Sequence, residues 1–289
     1  IMGAICGGAF TFALSGPCSP EPTNVVAMVI GTTPYCGLVA GIAGIIVEIV
    51  IMVLMLTRMC SKATAQGETF VPGPKDGALV VEAQVKPKVL VDLIPPLVLL
   101  IVFNVLSVNI SFSILITAIV AAVLFYPQLG RKKIFESVNE GAVTSLAPTC
   151  AIAGVNGFAA VVQSVPEYQQ LIDSMLHAAV PPVLLLVMCI AVICMMTGGS
   201  TTGTQIALPI ITPALTKLGL SLPFIHRVGV FSATMLDSLP NSGAVIMAIG
   251  LADLKMKEGY PAVFASTVLA TTCGTVVVAV IMTLFPMLP

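Results

Sequence analysis

Asp237 is the single ionisable side chain between Val228 and Ala252, and it opens the run Asp237-Ser238-Leu239-Pro240-Asn241-Ser242-Gly243 between two apolar stretches. Two further runs have the same character. Thr197-Gly198-Gly199-Ser200-Thr201-Thr202-Gly203-Thr204-Gln205 is polar and glycine-rich with apolar flanks, and Ser15-Gly16-Pro17-Cys18-Ser19-Pro20-Glu21-Pro22-Thr23-Asn24 interrupts the apolar pattern near the start. Residues of these types can bind an anion. A helix that stops at such a run presents free N–H groups and the positive end of its dipole, and Ser, Thr and Asn add hydrogen bonds without the cost of burying a charge. An acid in that setting is a candidate proton carrier, since ionisable groups inside membranes are costly and mark function by default. The bland role for the same Asp237 is to cap a helix N-terminus.

The elements that hold these runs are read from composition. The chain has 289 residues, of which 57% are hydrophobic and 9% charged, with mean hydropathy +1.08. Soluble domains are about one quarter charged, so an all-α polytopic membrane protein is expected. No Lys, Arg, Asp or Glu occurs from Ala178 to Thr216 or from Gly259 to Pro289, and each stretch is long enough to cross a bilayer. Nucleic acid is not an expected partner, because the basic residues are scattered over several loops and the net charge is −1. The cysteines sit mostly in apolar runs without metal-binding spacing and read as packing residues.

Spanning helices are predicted over Tyr35–Leu56, with Glu48 as its internal acid, over Val89–Ser107 and Ile110–Tyr126, over Ala178–Met196, and over Ala262–Phe285. Pro95-Pro96 is expected to kink the second of these. Arg58–Lys88 reads as an exposed loop, Ile134–Val143 as an amphipathic stretch, and Ser145–Val165 as an apolar segment interrupted by Gly154, Asn156 and Gly157. Two crossings separate the basic loop 58–88 from Arg131-Lys132-Lys133, which puts both on the cytoplasmic side by the positive-inside rule.

Non-helical backbone is tolerated at membrane depth only where protein or a wet cavity shelters it. The three polar runs therefore point to sites built from broken helices, as in secondary transporters with internal repeats. Gly8-Ala9-Phe10-Thr11 precedes the first run much as Gly229-Val230-Phe231-Ser232 precedes the Asp237 run. Residues 1–57 then read as the end of a first repeat, 58–88 as a polar cytoplasmic loop, and 89–289 as a second repeat with a hairpin at 197–215 and a broken helix at 224–251. A first-repeat hairpin would precede Ile1, so the sequence is expected to be N-terminally incomplete.

At these residues the chain resembles the gluconate permease family of proton-coupled organic-anion symporters, within the ion transporter superfamily. The likeness rests on Gly8-Ala9-Phe10-Thr11-Phe12 with Gly16-Pro17, Ser19-Pro20 and Asn24, on Gly31-Thr32-Thr33-Pro34, on Gly198-Gly199-Ser200 with Ala207-Leu208, and on His226-Arg227-Val228. The most specific stretch is Asp237-Ser238-Leu239-Pro240-Asn241-Ser242-Gly243-Ala244-Val245-Ile246. Cys18 and Glu21-Pro22-Thr23 depart from the family pattern and leave the exact substrate open. The resemblance implies two inverted repeats with re-entrant hairpins, elevator-type movement against a scaffold in a homodimer, and residence in the inner or plasma membrane.

The candidate substrate-binding residues are Ser15, Gly16, Ser19, Asn24, Gly199, Ser200, Thr201, Thr202, Ser238, Asn241, Ser242 and Gly243, with Asp237 coupling a proton and no cofactor. The ligand is a small organic acid: gluconate or another sugar acid, or a hydroxy- or monocarboxylate such as hydroxybutyrate. Sodium-coupled transport of a di- or tricarboxylate is the nearest rival, and a passive channel fits two broken-helix sites less well than alternating access does. A remote reading pairs Ser200 with His226 as an intramembrane serine protease. That chemistry needs a nucleophile held against its base, and Arg227 instead marks His226 as lying near an interface.

Overall fold

The computed structural model describes residues 11–16, 22–69, 89–106, 108–167, 170, 174, 180–252 and 254–285. Among them every regular element is helical. In chain order these are α1 (Phe12–Ser15), α2 (Thr23–Ile30), α3 (Leu38–Ala65), α4 (Val89–Asp92), α5 (Ile94–Leu100), α6 (Ile110–Ser164), α7 (Pro182–Thr197), α8 (Ser200–Lys217), α9 (Leu222–Met235), α10 (Gly243–Leu251), α11 (Met256–Phe264) and α12 (Ala270–Leu284). One π-helical turn, Ile101–Val105, follows α5, and another, Ala265–Leu269, joins α11 to α12. Among the described residues three helices, Leu38–Ala65, Ser111–Leu146 and Met256–Leu284, are long and apolar enough to cross a membrane. The protein is an all-α membrane protein.

The chain forms two compact units, residues 1–69 with 149–289, and residues 70–148. In the first, α9 is the centre. Every residue from Phe224 to Thr234 is buried, and α7, α8, α12, α2 and α1 all pack on it. A helix buried on all sides must be closely approached by its neighbours, and small residues permit this. Gly44 of α3 is one: a Cβ there would stand 2.5 Å from both the Phe231 ring and Val278. On α3 the buried positions Gly41, Gly44 and Glu48 share a face, while Ile42, Ile46, Ile49, Val50 and Val53 on other faces are exposed. Apolar exposure of that kind is what lipid contact requires.

In the second unit, Pro95 and Pro96 begin α5 after a turn at Leu93. The expected kink is thus a helix start, where the missing N–H has no intrahelical partner to lose. Asn109 Oδ1 accepts from the N–H of Ser111, opening α6. Three other expectations change. The loop expected from Arg58 begins later, since α3 continues to Ala65. The glycines between 145 and 165 do not break their segment, because all of α6 is helical except at Gly130, whose φ of 70° interrupts it. In the polar run at 197–205 only Gly198 and Gly199 leave the helical region, with Gly198 at φ 68° and Gly199 extended. From Ser200 the run is helix: hydroxyls are accommodated by bonding back along the chain, as Thr204 Oγ1 does to the carbonyl of Ser200 at 2.8 Å.

Candidate functional site

Three interruptions of helix position the site. Gly198-Gly199 turns α7 into α8, residues 236–242 separate α9 from α10, and α1 ends at Ser15 before α2 begins at Thr23. At 14 residues α9 is about 21 Å long, shorter than the ~30 Å hydrocarbon core, and it is buried as far as Thr234 at its C-terminal end.

Just past that end, Asp237 is 5% exposed and Ser238 is 2% exposed. The Asp237 carboxylate accepts from Ser238 Oγ at 2.8 Å, and from both the hydroxyl and the backbone N–H of Ser200. Ser200 is the first residue of α8, and Gly199 before it has no side chain to serve as a cap. Asp237 therefore acts as the cap of α8 from a different part of the chain, its negative charge set against the positive end of that helix. The two breaks are tied again by Asn241, whose Nδ2 donates to the Met195 carbonyl at 2.8 Å. Ser242 is buried and precedes the N-terminus of α10 at Gly243, also buried. Thr201 and Thr202 are half-buried in the first turn of α8.

The first-half residues form a second cluster. Ser15 Oγ donates to Glu48 Oε1 at 3.1 Å and lies 3.2 Å from Thr234 Oγ1, which belongs to the last turn of α9. The ends of α1 and α9 thus meet directly. Gly16 accepts from Thr23 Oγ1 at 2.9 Å, and Asn24 is half-buried in α2, which packs on α8 and α9. Ser19 lies outside the described residues.

Glu48 and Thr234 stand in this cluster, although neither is among the residues expected to form the site. Glu48 is fully buried, and a Cβ at Gly274 of α12 would stand 2.6 Å from its Cγ, so the backbone of α12 rests on the carboxyl group. A lone acid in an apolar span was the signal for Glu48; its partners are too far away in sequence for any local pattern to show.

His226 and Arg227 are both fully buried, in the second turn of α9. Arg227 Nε donates to the Cys36 carbonyl at 2.7 Å and Nη2 to the Pro34 carbonyl at 2.9 Å, fastening the turn between α2 and α3. Gly37, at φ 62°, stands where a Cβ would be 2.8 Å from Arg227 Cβ. His226 Nδ1 pairs with Thr32 Oγ1 at 2.7 Å, and no hydrogen bond links it to Ser200, which pairs with Asp237. A nucleophile–base pair at Ser200 is not assembled.

The chain is 23% identical over 325 residues to a Bacillus subtilis (strain 168) protein named "Uncharacterized transporter YxjC", a match covering 97% of this chain and 69% of that one. The likeness supports a transporter in general. No family model matches the chain, and no solved structure does.

Proposed function

We propose that the chain is part of a secondary active transporter of the cell membrane, moving a small organic anion such as gluconate, another sugar acid or a hydroxymonocarboxylate together with a proton. One observation carries this reading: the Asp237 carboxylate sits on the N-terminus of α8, taking up donors that a substrate carboxylate would use. Ionised Asp237 competes with the substrate. Once it accepts a proton, its hold on the Ser200 N–H, the Ser200 hydroxyl and the Ser238 hydroxyl is released, and these turn to the anion. Proton and anion then bind together, the requirement of symport.

The remaining donors come from the ends of α8 and α10, from Gly199, Thr201, Thr202, Asn241, Ser242 and Gly243, and from Ser15, Gly16, Ser19 and Asn24 of the first half. Neutral donors and helix ends bind a carboxylate without a buried cation. The resemblance to the gluconate permeases adds inverted repeats, a homodimer and elevator-type movement to this reading.

Asp237→Asn in the full-length protein, reconstituted in vesicles and supplied with labelled gluconate or hydroxybutyrate, tests it. Uptake driven by an imposed pH gradient is expected to be lost. Unchanged proton-driven uptake would remove Asp237 from coupling.

A further inference from the structure

We infer that Glu48, with Ser15 and Thr234, forms a second proton-binding site, at the carbonyl end of α9 rather than at a helix N-terminus. Glu48 has no exposed surface, and while Oε1 accepts from Ser15, Oε2 has no hydrogen-bond partner among the described residues. The elements packed against α3 are α12, the π turn Ala265–Leu269 and α1. Their described residues carry no Asp, Glu, His, Lys or Arg, and the titratable side chain among them is Cys273. Thr234 brings in α9, whose His226 and Arg227 lie in its second turn and bind the 32–36 segment, and whose end is followed by Asp237.

A buried carboxylate with an empty oxygen and no cation beside it requires a neutralising partner. A proton needs one oxygen and no coordination shell, and a Cβ on Gly274 would stand 2.8 Å from Oε1, so the α12 backbone lies against the carboxyl group. Oε1 is occupied by Ser15, which leaves Oε2 to take the proton. Carbonyls gather nearby: Thr11 O accepts from Ser15 Oγ at 3.2 Å, and Phe231 O accepts from both Thr234 and Thr275 at 3.0 Å. Positive charge is favoured at the C-terminal end of a helix, and half-helix C-termini hold coupling cations in other transporters. The Ser15 and Thr234 hydroxyls link Glu48 to the last turn of α9, beside the Asp237 break. The π turn adds a fixed point, since Thr11 Oγ1 donates to the Ser266 carbonyl at 2.8 Å and so holds α1 in place.

A role for this proton in coupling rests on the transporter reading; the binding site itself does not. Infrared difference spectra of the full-length protein in lipid, between acidic and alkaline buffer and repeated in heavy water, test it. A protonated-carboxyl C=O band is expected that Glu48→Gln abolishes, Asp237→Asn retains, and Ser15→Ala shifts by removing the donor to Oε1. A folded Glu48→Gln protein with the wild-type difference spectrum overturns the proposal. Should that variant fail to fold, an unshifted set of bands in Ser15→Ala does so instead. A Glu48 band without pH-driven uptake of gluconate or hydroxybutyrate would sink the transport reading and leave the site standing, whereas uptake without the band would do the reverse.

Discussion

Gly44→Ala adds one methyl group where α3 meets Phe231 of α9 and Val278 of α12, and the structure sets the size of its effect. The new Cβ would lie 2.5 Å from Phe231 Cε1 and Val278 Cγ2, and 2.7 Å from Phe231 Cζ. Phe231 and Val278 are both fully buried, so neither can swing into open space. Overpacking of this kind costs about 1–3 kcal/mol, partly offset by up to ~1 kcal/mol from replacing a helical glycine. A net loss of about 1–2 kcal/mol corresponds to a fall of roughly 2–8 °C in the melting midpoint. The assay is the thermal midpoint of the full-length protein in detergent, with Gly141→Ala as control because nothing lies within 4 Å of its Cβ position. Adding Phe231→Leu to Gly44→Ala should recover part of the loss, a non-additivity expected of residues in contact. A Gly44→Ala protein as stable as the Gly141→Ala control would refute the close approach of α3 to Phe231 and Val278.

Arg227→Lys keeps the charge but cannot reproduce the forked donors to Pro34 and Cys36; a lower thermal midpoint is expected, by at least ~1 kcal/mol per lost bond to a charged group. Gly198→Ala forces a Cβ into the left-handed region at φ 68°, for a loss of about 1–2 kcal/mol seen in the same melting assay. Asn241→Ala removes an exposed hydrogen bond to the Met195 carbonyl, worth about 0.5–1.5 kcal/mol, and is expected to lower stability and anion uptake together. Ser200→Ala should weaken organic-acid binding, read as a smaller ligand-induced thermal shift, because the hydroxyl at the start of α8 is lost.

The break at Asp237 was legible because its residues are locally decisive: Pro240 and Gly243 oppose a continuous helix, and Asp237, Ser238 and Asn241 have no reason to stand in lipid. The span around Glu48 was legible from its length and apolar composition. Two features were not. Ser200 to Gln205 has the composition of a loop, yet it is helical because Thr204 bonds to a carbonyl on its own helix and Asp237 caps the first turn from a distant segment. The Ser15–Glu48–Thr234 cluster joins residues 33 and 219 positions apart, and contacts over that separation follow from how helices pack. The partners of Arg227 were not legible for the same reason: the carbonyls of Cys36 and Pro34 lie 191 and 193 positions away.

The most direct test is uptake of labelled gluconate and hydroxybutyrate by vesicles holding the full-length protein, with either a pH gradient or a Na⁺ gradient imposed. Accumulation driven by the inward pH gradient, and unaffected by Na⁺, is the predicted result. Accumulation that follows the Na⁺ gradient alone, or equilibration without accumulation under either gradient, would contradict proton-coupled transport.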